Sequence, residues 1–270
     1  MTVTRVTVGQ FGPVADAETN FAAINELARQ AAAAEAALLV LPEEAMLLAE
    51  DVPPPLAAEV ERVWPMFCEL LSDLAAHHGL AIIAGGYEPS GTERPYNTLV
   101  AVTPEGATQT YRKLHLYDAF AYQESGYVTR GTELPPVIEL AGLRVGLINC
   151  YDLRFPEQAR ALIDQDADLL AISAAWVCGP MKETHWQTLT QARAIENTVW
   201  VAAAGSISSG CIGGSRILSP LGEVLAELSD EPLAAVSADI DLERTASVRD
   251  TLPALANRRI ILTYQVQEDM

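Results

Sequence analysis

Positive charge is scarce in this chain: 17 Lys and Arg stand against 36 Asp and Glu, a formal net charge of -19. Such a surface repels the phosphates of nucleic acid and anionic membrane faces alike, so neither is expected as a partner. It does not imply a basic partner either, because acidic residues commonly serve to solvate a surface. Cysteine is sparse too. Cys68, Cys150, Cys178 and Cys211 are scattered without a CxxC pair, which points to a reducing compartment rather than a disulfide framework. No apolar run approaches the ~20 residues needed to span a bilayer. No signal-like segment precedes Val3–Phe11, and the expectation is a cytoplasmic protein. Zinc-type spacing of His, Cys and Asp is missing, as is a Gly-rich phosphate loop after a strand. Neither a metal nor a cofactor is expected.

What is present is a large apolar core. Half of the 270 residues are hydrophobic and 20% are charged, which excludes a disordered chain. No repeat, low-complexity tract or linker interrupts it, so a single domain over 1–270 is expected. Residues 3–10 read as a strand, 20–35 as a helix with Phe21, Ile24, Leu27 and Ala31 at helical spacing, and 37–41 as a buried strand. That is a crossover unit, and Pro42-Glu43-Glu44 closes it with two carboxyl groups at the strand's carboxyl end. After a stiff Pro53-Pro54-Pro55 connection, 56–79 reads as a long helix broken near Pro65. Its terminal His77-His78 suits the helix dipole better than a metal.

A strand at 80–85 is followed by a hairpin of 96–102 and 108–112 around Pro104-Glu105-Gly106. It delivers Lys113, which on its own reads as a solvated lysine at a strand end. Residues 119–136 have turn residues and little periodicity, the length of a functional loop, and contain Glu124. A second hairpin, 138–141 and 143–149 around Gly142, leads to Cys150. Helices are expected over 155–165 and 183–197, and strands over 169–173, 199–204, 215–218, 223–228 and 234–240. Residues 249–270 read as a tail. Strands and helices alternating with hairpins predict a mixed sheet, or a pair of sheets, with helices outside.

The chemistry is expected at Val145 to Glu157. An apolar run ends abruptly at Cys150, and Asp152, Arg154 and the helix-starting Pro156 follow at once. A strand that ends in a sharp turn into a helix lifts a thiol out of the sheet and frees the next backbone N–H, that of Tyr151, to face an oxyanion. Cysteine is nonetheless a common packing residue, so the position alone is weak evidence.

Three strand-end residues strengthen it. Leu41-Pro42-Glu43, the run Tyr111-Arg112-Lys113-Leu114-His115-Leu116-Tyr117-Asp118 and the run Asn149-Cys150-Tyr151-Asp152-Leu153-Arg154-Phe155-Pro156-Glu157 resemble, in order and context, the nitrilase or carbon–nitrogen hydrolase superfamily. Tyr96-Asn97-Thr98, His185-Trp186, Arg193 to Asn197 and the Gly214 to Glu223 segment extend the likeness, which is strongest to the branch of omega-amidases and deaminated-glutathione amidases. The resemblance implies a four-layer αββα sandwich of two mixed sheets flanked by helices, and association into a homodimer or larger assembly. It also implies a catalytic Glu43, Lys113 and Cys150, with Glu124 as a second glutamate near the thiol.

In that reading Glu43 takes the thiol proton, Lys113 and the Tyr151 N–H meet the oxyanion, and the substrate is a small amide. A nitrilase, an N-carbamoyl amidohydrolase, an acyltransferase on the same scaffold and a non-catalytic binding protein are the competing readings. Other side chains have blander expectations. Glu44 is a neighbour of the base that could pair with a cation. His115 is structural, His185-Trp186 packs a helix start, and Cys178 and Cys211 are bystanders. Trp176 either lines the pocket or covers the core. Arg154 reads first as an ion-pair partner of Asp152 or Glu157. Arg154, Arg130 and Lys182 are the cations that could meet a substrate carboxylate.

Overall fold

The computed structural model of the chain describes residues 3–53, 55–120 and 122–267. Pro54 of the proline connection and positions 268–270 of the tail lie outside the described residues. The chain opens with strand β1 (Val3–Phe11), helix α1 (Ala17–Ala33) and strand β2 (Leu38–Val40). Asp16 caps α1 by accepting the Thr19 N–H at 3.0 Å. Helix α2 (Leu56–His78) leads into β3 (Ala81–Glu88), β4 (Tyr96–Val102) and β5 (Thr108–Arg112). A small ribbon of β6 (Asp118–Ala119) and β7 (Tyr122–Gln123) breaks up the expected loop.

The second half runs β8 (Val137–Leu140), β9 (Leu143–Asn149), α3 (Pro156–Ile163), β10 (Leu169–Ala174), α4 (Lys182–Asn197) and β11 (Trp200–Gly205). It finishes with β12 (Arg216–Leu218), β13 (Val224–Glu227), β14 (Leu233–Asp241) and α5 (Leu242–Thr251).

Two six-stranded mixed sheets result, in the orders β14-β1-β2-β3-β4-β5 and β13-β12-β11-β10-β9-β8. Each has three parallel strands at its centre, β1 to β3 in one and β9 to β11 in the other, with antiparallel neighbours on both sides. The sheets face each other across one apolar layer, in which Val8, Val40 and Ile83 share a cluster with Leu147, Ala171 and Ala202. Helices α1 and α2 cover the outer face of the first sheet, and α3 and α4 cover that of the second. This is the αββα sandwich. Of the central strands, β2 and β11 are apolar throughout and β10 nearly so, because both of their faces are covered.

Three local expectations change. Helix α2 runs through Pro65 unbroken. Pro65 and Glu61, four residues earlier, lie on the exposed face, where water takes over the carbonyl that proline leaves without a donor. Residues 242–251 form α5, which the sequence reading missed. Only Thr245 and Val248 of that helix are buried, too few to give a helical apolar period. The β14 strand is an edge strand with mostly half-buried residues rather than a core strand.

Candidate active site

Glu43, Lys113 and Cys150 follow β2, β5 and β9, so two come from the first sheet and one from the second. Folding brings them together with Glu124, and all four are at least nine-tenths buried. They line a cavity of about 390 Å³. The backbone of Glu43 is seated against Gly85 of β3. A Cβ at Gly85 would lie 1.9 Å from the Glu43 carbonyl oxygen, so only glycine allows this approach.

The Lys113 ammonium donates to Glu43 Oε1 at 2.6 Å and to Glu124 Oε2 at 2.9 Å. Asn97 spans the same two carboxylates, donating to Glu43 Oε1 at 2.8 Å and Glu124 Oε1 at 2.9 Å. Asn149 in turn donates to Asn97 Oδ1 at 2.9 Å, which links the residue before the thiol to this network. The second oxygen of Glu43 accepts the Ala175 N–H at 2.9 Å, and Glu124 Oε2 accepts the Tyr117 N–H at 2.6 Å. The Cys150 thiol lines the same cavity as Glu43 and Lys113 and feels the charges of both.

Electrostatics follow from this packing. Burial pushes the Glu43 carboxyl up, but the charge and hydrogen bond of Lys113 outweigh it and hold Glu43 below the usual carboxylate range. Burial pulls Lys113 down, and Glu124 and Glu43 more than reverse this, so its ammonium persists well above the ordinary range. Burial and then the Glu43 charge push the Cys150 thiol well above its usual value. The resting group is a neutral thiol beside an ionised carboxylate. Such a pair can transfer a proton as the sulfur forms a bond, with a cation close by for the charge that develops.

Cys150 has φ +46°, the left-handed region that a non-glycine residue enters only under strain. It opens a 3-10 turn, Cys150–Arg154, pinned by the fully buried Asp152. Asp152 accepts the Asn149 N–H at 3.2 Å, the Tyr111 hydroxyl at 2.8 Å and the His115 N–H at 3.0 Å. His115 Nδ1 lies 2.7 Å from the same carboxylate, and its ring stacks on Phe155 with centroids 3.7 Å apart. His115 is therefore structural, as expected.

Arg154 departs from its expectation. Its guanidinium lies 4.7 Å above the Trp176 ring and 3.3 Å from His185 Nδ1, and among the described residues it makes no ion pair. Asp152 is already committed to Tyr111 and His115. Trp176 serves both of its alternatives: it is buried against Trp186, and it lines a small recess with Cys150, Tyr151, Arg154 and Lys182. Tyr151 packs edge-on against Tyr117 and Phe155. Arg130 lines a different groove, with Leu262 to Gln267. Among the described residues Glu44 has no cation beside it. It accepts the Tyr87 hydroxyl at 2.8 Å, and burial followed by the Glu43 charge raises its carboxyl to about 8.

Sequence reasoning gave no role to Asn97, Asn149, Tyr117 or the Ala175 N–H. Asn97, Tyr117 and Asn149 lie within segments singled out by resemblance, which was the only signal available. Among the described residues no group of His, Cys, Asp and Glu could hold a metal, and no helix is long and apolar enough to cross a membrane.

A thiol, a carboxylate that can take its proton and a fixed cation, held where paired sheets end, define a cysteine-dependent hydrolase. The chain belongs to the carbon-nitrogen hydrolase family, whose model matches residues 5–250. It is 41% identical to the deaminated glutathione amidase of Escherichia coli O157:H7 over 94% of this chain and 97% of that protein. It is 35% identical to omega-amidase NIT2 of Xenopus tropicalis, over 74% of this chain and 75% of the relative. A similar solved structure is a variant of the amidase from Nesterenkonia sp. AN1 with acrylamide added at its active-site cysteine. It shows a TM-score of 0.79 and 26% identity, covering 94% of this chain and 99% of that one.

Proposed function

We propose that this carbon–nitrogen hydrolase is an amidase that releases ammonia from a small carboxylate-bearing amide through a thioester on Cys150. The observation that carries the reading is the buried Glu43–Lys113 ion pair facing the same cavity as the Cys150 thiol, whose proton the Glu43 charge holds in place. Glu43 takes the thiol proton as the sulfur bonds to the amide carbon. The carbonyl electron pair moves onto oxygen, where the Lys113 charge and the Tyr151 N–H stabilise it. Donors of this kind are worth ~3 kcal/mol each. Glu43 then returns its proton to the amide nitrogen, the carbon–nitrogen bond breaks and ammonia leaves. Water, deprotonated by Glu43, attacks the thioester, and the thiolate departs and recovers the proton. Glu124 positions Lys113 and completes its charge balance.

The relatives support an amide over a nitrile, and Glu43 suits it chemically, since an amide must expel an amine at the first step. The network needs no metal or cofactor for these proton transfers. Tyr151, Arg154 and Trp176, beside the thiol, are assigned to substrate binding. We also infer one domain over 1–270, a cytoplasmic location in keeping with four free thiols, and a homodimer or larger assembly. Helices α3 and α4 spend their buried residues on the second sheet, and Ile195 of α4, 47% exposed, with Leu221, 49% exposed, gives an apolar patch for an interface. Ammonia release from matched amides with and without a terminal carboxylate tests the substrate class. A higher kcat/KM for uncharged amides, or for the nitriles, overturns it. Light scattering that returned only the 29.0 kDa monomer would overturn the assembly.

A further inference from the structure

Lys182 is the first residue of α4, and its side chain is 5% exposed in a recess it shares with Cys150. Buried ammonium groups are normally matched by a carboxylate, because leaving one unpaired away from water is unfavourable. Lys182 lacks that match. Its Nζ donates to the Tyr117 hydroxyl at 2.7 Å and lies 4.2 Å from the Phe120 ring centroid, and among the described residues it has no ion pair. An ammonium has three donors, and this hydrogen bond uses one. The position is well fixed, since the Lys182 carbonyl accepts the Trp176 indole N–H at 3.0 Å. Tyr117, Cys150, Ala175 and Val177 line both this recess and the larger cavity that holds Glu43 and Lys113, so the two adjoin at the thiol.

We propose that Lys182 is the specificity-determining cation that receives the carboxylate end of the substrate while the amide carbon lies at Cys150, an inference that rests on the carboxylate-bearing amide reading above. The ligand class is a short acyl amide with one carboxylate at the end opposite the scissile amide. Its anionic end takes the free donors of Lys182, with Phe120, 74% exposed, as the lid of the recess. In a chain of net charge -19, a fixed cation at the thiol is what lets an anion enter at all. Arg154 lines the same recess, but its guanidinium is already occupied by the Trp176 face and His185.

The test compares a carboxylate-bearing amide with its uncharged isostere in the wild type, Lys182→Met and Lys182→Arg. Met keeps the buried stem and removes the charge, while Arg restores the charge. In Lys182→Met, the ratio of kcat/KM for the charged over the uncharged amide is expected to drop by about 30-fold, mainly through KM, as expected for one charge-assisted contact. Lys182→Arg is expected to recover most of that ratio. A merely structural lysine would lower kcat/KM for both amides together and leave the ratio in place, which overturns the proposal. If Lys182→Met fails to fold, an unchanged ratio in Lys182→Gln overturns it in the same way. A wild type that does not favour the charged amide defeats the substrate reading itself. A wild type that favours it, with a variant that keeps the preference, defeats only the role of Lys182.

Discussion

Glu43 and Glu44 are neighbours in the chain, yet the first is ionised and the second neutral near pH 7. Lys113 holds Glu43 ionised, whereas burial and then the neighbouring Glu43 charge raise Glu44 to about 8 against the opposing hydrogen bond from Tyr87. The cavity therefore keeps one of its three buried glutamates protonated near neutral pH, which prevents a further buried negative charge next to the thiol.

The stability consequence of Glu44 has a definite sign. Between its unfolded value near 4.5 and its folded value of about 8, the folded chain holds a proton that the unfolded chain has released. Stability therefore falls as pH rises through that window. Glu44→Gln keeps an acceptor for Tyr87 and removes the linkage. It is expected to be more stable than the wild type by a few kcal/mol near pH 8, with the gain shrinking toward zero at pH 4. Denaturant unfolding at several pH values measures this, and a gain that did not depend on pH would contradict it.

Cys150 gives two expectations, one chemical and one conformational. Cys150→Ser is expected to lose at least about a thousandfold in kcat while remaining folded, because an alcohol gives up its proton far less readily than a thiol. The left-handed backbone at Cys150 disfavours any residue with a Cβ by about 1–2 kcal/mol. Cys150→Gly is therefore expected to be more stable than Cys150→Ala by up to about 1 kcal/mol, after allowing for the buried methyl group. Paired chemical denaturation curves decide it, and an alanine variant as stable as the glycine one would remove the strain argument.

Asn97 carries the network rather than the chemistry. Replacing it with leucine removes the donors that Glu43 and Glu124 share and leaves Asn149 without its acceptor. Asn97→Leu is expected to cost about 2 kcal/mol of stability and to lower kcat more than it raises KM, because the base is displaced while the recess around Lys182 is untouched. Steady-state kinetics with thermal unfolding tests this. Unchanged kcat with a raised KM would assign Asn97 to substrate binding instead.

Much of the scaffold was legible because its signals are local. The hairpins 96–112 and 137–149 carry their turns in sequence, and buried runs such as Leu169–Ala174 announce strands covered on both faces. Glu43, Lys113 and Cys150 could be picked out because each ends a strand and because their segments resemble a family. On residue chemistry alone Lys113 read as a solvated lysine.

What the chain order could not determine depends on pairs far apart in sequence. Whether Glu44 is ionised depends first on its burial by distant segments and then on the Glu43 charge, with the hydrogen bond from Tyr87 opposing both. Arg154 could not be placed over Trp176 without knowing that Asp152 had turned toward Tyr111 and His115. Lys182 lies beyond α3 and β10 from the thiol, in what the sequence reads as a loop before the helix expected over 183–197, where nothing local signals burial. Only the packing of that helix against the second sheet, with Tyr117 arriving from the first half of the chain, buries its ammonium beside Cys150. Sequence fixes which groups can ionise, and tertiary structure sets the distances and burial that decide which of them do.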